Sequence, residues 1–165
     1  MLTRLMQRRH EEEGFTLIEL MVVVLIIGSL IAIALPTFLG ARNRANDRAA
    51  QSSLRNALTT AKACFTDHDS YNGPPVCNNA TLSASEPSIA FKANNVVSAG
   101  ANEVSVKVDS NNVIYLASKS ASGTCFTMKD DESNGGGVKY DGVTHAPATC
   151  DADDAKTATV TGASW

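Results

Sequence analysis

The chain has 165 residues, with 14 Lys and Arg against 17 Asp and Glu, a formal net charge of −3 and 44% hydrophobic residues. That length suits one membrane-length segment beside one small globular domain. An acidic balance without clustered Lys and Arg argues against nucleic acid as a partner, and the scattered histidines His10, His68 and His145, with no G-x-S-x-G and no phosphate-binding loop, leave no catalytic constellation.

The first element is apolar. From Leu17 to Leu39 the only charged residue is Glu19. About 20 apolar residues cross a hydrocarbon core of about 30 Å. Arg4, Arg8 and Arg9 precede the run and place Met1–Gly14 in the cytoplasm, although Arg42, Arg44 and Arg48 just beyond it weaken the asymmetry. A charge at a membrane helix centre costs roughly 2.5–3.5 kcal/mol on insertion scales, so a carboxylate kept inside such a run marks a functional site. Ala32-Ile33-Ala34 has the form of an ordinary signal-peptide site, with cutting after Ala34. The apolar run is long for that reading, which also gives Gly14 no role.

After Pro36 the pattern becomes amphipathic. Ala50, Leu54, Ala57, Leu58, Ala61 and Phe65 recur at helical spacing, with Arg44, Arg48, Arg55 and Lys62 largely off that face. The spacing predicts one long helix from about Phe15 to about Phe65, apolar all round at first and then one-sided, so that its second half needs a sheet to cover it. Gly28 and Pro36 weaken it, and a kink is expected at Pro36.

Asp67 to Pro75 is dense in turn formers and closes the helix. Ala80 to Pro87 is Ser-rich and reads as a surface loop. Asn79-Ala80-Thr81 has the glycosylation-acceptor form, a motif short enough to occur by chance. Strands follow. Val104, Val106 and Val108 alternate with polar residues, Asp109–Asn112 turns, and Val113–Ala117 returns with Ile114 and Leu116 inward. Cys125–Lys129 is a third strand with Phe126 and Met128 on one face, and Val138–Val143 a short fourth. Such strands laid on the helix make a small core. Asp130-Asp131-Glu132 and Asp151-Ala152-Asp153-Asp154 read as solvated acidic loops. EF-hand spacing is absent, so no metal or cofactor is expected.

Cys64, Cys77, Cys125 and Cys150 all lie beyond the apolar run. An even number in an exported domain reads as disulfides, and three pairings are open. Cys64–Cys77 with Cys125–Cys150 is favoured because each closes a local loop. Zinc is the competing reading, but there is no C-x-x-C and the nearest histidine is His68.

Gly14-Phe15-Thr16-Leu17-Ile18-Glu19 and the apolar residues to Leu39 resemble the class III signal segment of type IV prepilins and of the related type II secretion pseudopilins. Phe65 to Tyr71 is similar to the helix-exit segment of many pilins. The resemblance implies an α+β fold, a long N-terminal helix whose C-terminal half packs on a small antiparallel β-sheet head. It implies a cytoplasmic leader over 1–14 that is removed, a transmembrane and filament-core helix over 15–40, an amphipathic helix of the head over 41–65, and a globular head over 66–165. The head holds an αβ-loop, the sheet and a C-terminal disulfide loop. Cutting is implied between Gly14 and Phe15, with N-methylation of Phe15. Glu19 is implied to pair with an N-terminal amine, and Gly28 and Pro36 to bracket a segment that unwinds in several related filaments. The implied partners are copies of the chain, a prepilin peptidase and an inner-membrane assembly platform. The implied location is the cytoplasmic membrane and then a surface filament. The implied role is a structural one, the major pilin, and not an enzyme. A pseudopilin or minor pilin is the alternative, and a membrane-anchored binding module that never polymerises is another.

Overall fold

A computed structural model describes residues 14–143, 149–157, 160 and 162–165. Residues 1–13 of the leader, His10 and His145 lie outside the described residues. In chain order the elements are α1 (Leu17–His68), α2 (Asn79–Ser85), β1 (Ala90–Lys92), β2 (Glu103–Val108), β3 (Val113–Lys119), β4 (Cys125–Asp131), β5 (Lys139–Val143) and α3 (Ala152–Thr157). The chain divides into two compact units, one ending at Gly40 and one spanning Ala41–Trp165.

In the first unit every described side chain through Leu39 is exposed. α1 stays helical across both Gly28 and Pro36. Its few hydroxyls bond to their own helix, Ser29 Oγ donating to the Ile26 carbonyl and Thr37 Oγ1 to the Ala34 carbonyl, each at 2.8 Å. The segment therefore offers an apolar solvent no unpaired hydroxyl there, which is the condition for a spanning helix.

In the second unit α1 turns one-sided. Ala50, Ser53, Leu54, Ala57, Ala61 and Cys64 are its buried residues, spaced three and four apart, as one helical face requires. They pack on a five-stranded sheet in the order β1-β2-β3-β4-β5. Leu54, Val104, Ile114, Leu116 and Met128 are wholly buried in this core, each contributing about 1.5–3 kcal/mol of transfer free energy.

The sheet corrects the expectation of an all-antiparallel head. β2 to β5 pair antiparallel, but β1 runs parallel to β2, with Ala90 opposite Glu103 and Lys92 opposite Ser105. Three residues, Ala-Phe-Lys, are too few to show alternation. The Ser-rich stretch expected as a loop forms α2, because Asn78 Oδ1 caps it, accepting from the backbone N–H of Ala80 and Thr81, and Leu82 is wholly buried beneath it.

Cys64 is bonded to Cys77, 13 residues on, and Cys125 to Cys150, 25 residues on. The first ties the end of α1 to the segment before α2. The second ties the start of β4 to the segment before α3. Loops of this length are stabilised by about 3 kcal/mol each in the chain-entropy account.

Candidate functional site

Two clusters stand out, one in each unit. At the start of α1, Thr16 and Glu19 close a reciprocal capping box. Glu19 N donates to Thr16 Oγ1 at 3.3 Å, while Thr16 N and Thr16 Oγ1 donate to Glu19 Oε2 at 3.1 and 2.8 Å. The box satisfies backbone donors that the first helical turn otherwise leaves orphaned, and a carboxylate there complements the helix dipole. All three bonds involve either Thr16 Oγ1 or Oε2. Among the described residues none reaches Glu19 Oε1, so one carboxylate oxygen stays available to a cation. Phe15 precedes the box and is 82% exposed. A side chain added at Gly14 or at Gly28 would meet nothing within 4 Å. Gly14, Phe15 and Glu19 thus sit together at the helix entry. Gly28 and Pro36 are further along the same helix and are not brought to them.

The second cluster was missed by reading the acidic run as solvated. β4 alternates inward and outward, so Asp130 points into the core with its side chain wholly buried. Tyr71, also wholly buried, donates its hydroxyl to Asp130 Oδ2 at 2.5 Å. Lys62 Nζ stands 3.2 Å from Asp130 Oδ1 and also pairs with Glu132. Tyr71 in turn stacks near Phe65, centroid to centroid 4.8 Å, donates its N–H to the Asn111 carbonyl and accepts from Cys77 N. Through its backbone and its hydroxyl together, this one residue joins the disulfide-closed loop, the β2–β3 turn and β4. Its presence in the phrase from Phe65 to Tyr71 was the only sequence signal.

Burial pushes the Asp130 carboxyl up, against the opposing bonds from Tyr71 and Lys62. Burial and then the bond to Asp130 raise the Tyr71 hydroxyl. Partial burial works to lower Lys62, but Glu132 and Asp130 outweigh it and its ammonium is held up. Asp131, outward-facing and paired with Lys129 and Ser133, is held down at about 2. These contacts tie α1, the segment after it and β4 together.

The second acidic run is also structural. Asp151 Oδ1 accepts from the N–H groups of Asp153 and Asp154 and caps α3, while Asp153 pairs with Lys107 and accepts from Asn94. His68, read as a loop residue, ends α1 with Nδ1 2.8 Å from the Cys64 carbonyl oxygen. Among the described residues no group of three or more His, Cys, Asp or Glu could hold a metal ion.

An apolar helix long enough to cross a membrane, with a capping carboxylate at its entry, thus runs on into a disulfide-tied α+β head. Residues 9–35 match the prokaryotic N-terminal methylation motif. The type IV major pilin protein PilA of Myxococcus xanthus is 46% identical over 59 residues, 36% of this chain and 27% of that protein. The type IV wide pilus major component PilA4 of Thermus thermophilus is 35% identical over 91 residues, 54% of this chain and 67% of that protein. The competence protein ComGC of Halalkalibacterium halodurans is 35% identical over 60 residues, 36% of this chain and 59% of that protein. No solved structure matches. The chain belongs to the type IV pilin family. It spans about a quarter of the length of the Myxococcus relative.

Proposed function

We infer that the chain is the structural, major subunit of a type IV pilus and not an enzyme. It is made as a single-pass precursor in the cytoplasmic membrane with its leader in the cytoplasm. A prepilin peptidase cuts between Gly14 and Phe15, the new amine is methylated, and an inner-membrane platform assembles copies through residues 15–40 into a surface filament. The observation that carries this reading is the apolar surface from Phe15 to Leu39, exposed on all sides and interrupted by one charge. Water does not tolerate a patch of that extent. Lipid covers it in the precursor, and neighbouring copies of the same helix cover it in a filament.

Glu19 then has a defined task. A carboxylate moved from a membrane surface into a filament core needs a cation, and a neighbour's Phe15 amine supplies one to the oxygen that the capping box leaves unused. Gly28 and Pro36 are the positions at which the helix gives way most readily, so unwinding between them on assembly costs least there. The pseudopilin alternative shares the same N-terminal segment. Electron microscopy of material sheared from expressing cells separates the readings. Long filaments built of this chain are expected, and a chain that is processed, exposed and never filamentous overturns the reading.

A further inference from the structure

Beyond the leader the two basic residue types are segregated. Every arginine lies on α1, at Arg42, Arg44, Arg48 and Arg55, and every lysine lies from Lys62 onwards. All six ion pairs among the described residues use lysines. Arg55 lies over the Trp165 ring, 5.1 Å from its centroid. Arg42, Arg44 and Arg48 are exposed. Asp47 is the only acid between Leu39 and Lys62, and it accepts from Ser122 Oγ, 75 residues away in sequence.

Membrane topology disfavours these three exposed arginines. Basic residues tend to hold a flanking segment in the cytoplasm, so a group of them just past the apolar run, on the exported side of the reading above, works against the orientation that Arg4, Arg8 and Arg9 set. Neither topology nor an ion pair among the described residues therefore accounts for them.

Their height along α1 does. At 1.5 Å per residue the run from Leu17 to Leu39 is about 34 Å long, against a hydrocarbon core of about 30 Å and a headgroup layer of about 5–7 Å on either side. Arg42 and Arg44 follow Leu39 by about 4.5 and 7.5 Å of rise, which is the height of that layer. Arg48 follows by about 13 Å. Side chains on a helix lean towards its N-terminus, here towards the membrane, so its long stem leads back the same way. Arg42 and Arg44 are roughly 200° apart around the helix, so the charges leave it on opposite sides, as contact with a surrounding layer requires. The anions at that height are lipid phosphates, and the guanidinium is the side chain that bonds phosphate oxygens in pairs.

We propose that Arg42, Arg44 and Arg48 form a collar that binds the headgroup phosphates of the exported-side leaflet and fixes the depth of α1 in the precursor. The proposal rests on the membrane-anchor part of the reading above and not on the filament. It is tested on the full chain in bilayers of phosphatidylethanolamine and phosphatidylglycerol, in phosphate-free buffer, with the arginine Cζ carbons labelled with carbon-13. Solid-state NMR dephasing by phosphorus-31 reports which of them lie beside a phosphate. Resolved by residue, Arg42 and Arg44 should dephase most strongly, Arg48 less, and Arg55, held over Trp165, not at all. Arg42→Gln with Arg44→Gln and Arg48→Gln should lower the total dephased signal by about half, because Arg4, Arg8 and Arg9 flank the other side of the span and remain. Gln is a good helix former and all three positions are exposed, so head melting should be unchanged. No dephasing at Arg42 and Arg44 in a chain that spans the bilayer overturns the proposal and leaves the anchor reading intact. Equal dephasing by inorganic phosphate in bilayers of a phosphorus-free glycolipid overturns it too, as that would show a general anion site. A chain that washes off the bilayers in alkaline carbonate removes both readings.

Discussion

Tyr71→Phe removes one oxygen from a side chain with no solvent access and strips Asp130 Oδ2 of its donor. Hydrogen bonds to charged groups contribute about 1.5–3 kcal/mol, and the orphaned carboxylate adds a desolvation cost. Two features moderate the loss. Lys62 stays beside Oδ1, and burial has already raised the Asp130 carboxyl, so it can take a proton once its donor is gone. The expected loss is about 2 kcal/mol, or roughly 4–8 °C in Tm for a head of this size. Calorimetry of the full chain in detergent micelles measures it, and the cycle with Asp130→Asn isolates the coupling. The pH dependence has a fixed sign. A carboxyl raised in the folded state binds its proton more tightly there than when unfolded. Its contribution to stability is therefore present below the ordinary Asp value and is lost as pH rises through the folded one. Asp131, held low, acts oppositely, its contribution being lost as pH falls from the ordinary value towards about 2. Asp130→Asn should flatten the decline above the ordinary carboxylate range. A Tyr71→Phe loss under about 0.5 kcal/mol, or no coupling in the cycle, would refute the argument that this bond ties the head together.

Mass spectrometry of surface material should find a chain beginning at a methylated Phe15, whereas a start at Leu35 would mean ordinary secretion. Glu19→Ala should leave the processed subunit present but reduce or abolish sheared filament, because a neighbour's amine is left buried without its partner at a cost of several kcal/mol. Glu19→Gln should recover only part, and normal yield from Glu19→Ala would remove the assembly role. Peptide mapping without reduction should recover Cys64 linked to Cys77 and Cys125 to Cys150 in the exported protein. Replacing Cys125 and Cys150 by Ser should lower head stability by about 3 kcal/mol with membrane insertion unchanged, and equal melting of both forms would refute that share.

Signals that repeat along the chain were legible in the sequence alone. The run from Leu17 to Leu39, the single carboxylate within it and the spacing of Ala50, Leu54, Ala57 and Ala61 are periodic over many residues, so their sum specifies a spanning helix and then a one-sided one. β2, β3 and β4 were readable for the same reason, each alternating long enough to show which face turns inward. Only the tertiary structure decided the rest, where short elements take their conformation from a cap or a neighbour. α2 depends on Asn78 and on a space for Leu82, and β1 on the edge of β2. The acidic run Asp130–Glu132 looks uniform as letters. Pleating separates it, sending Asp130 to a buried tyrosine and Asp131 to Lys129, because successive residues of a strand face opposite sides. Which carboxylate is buried follows from contacts between residues tens of positions apart, and no local pattern records those contacts.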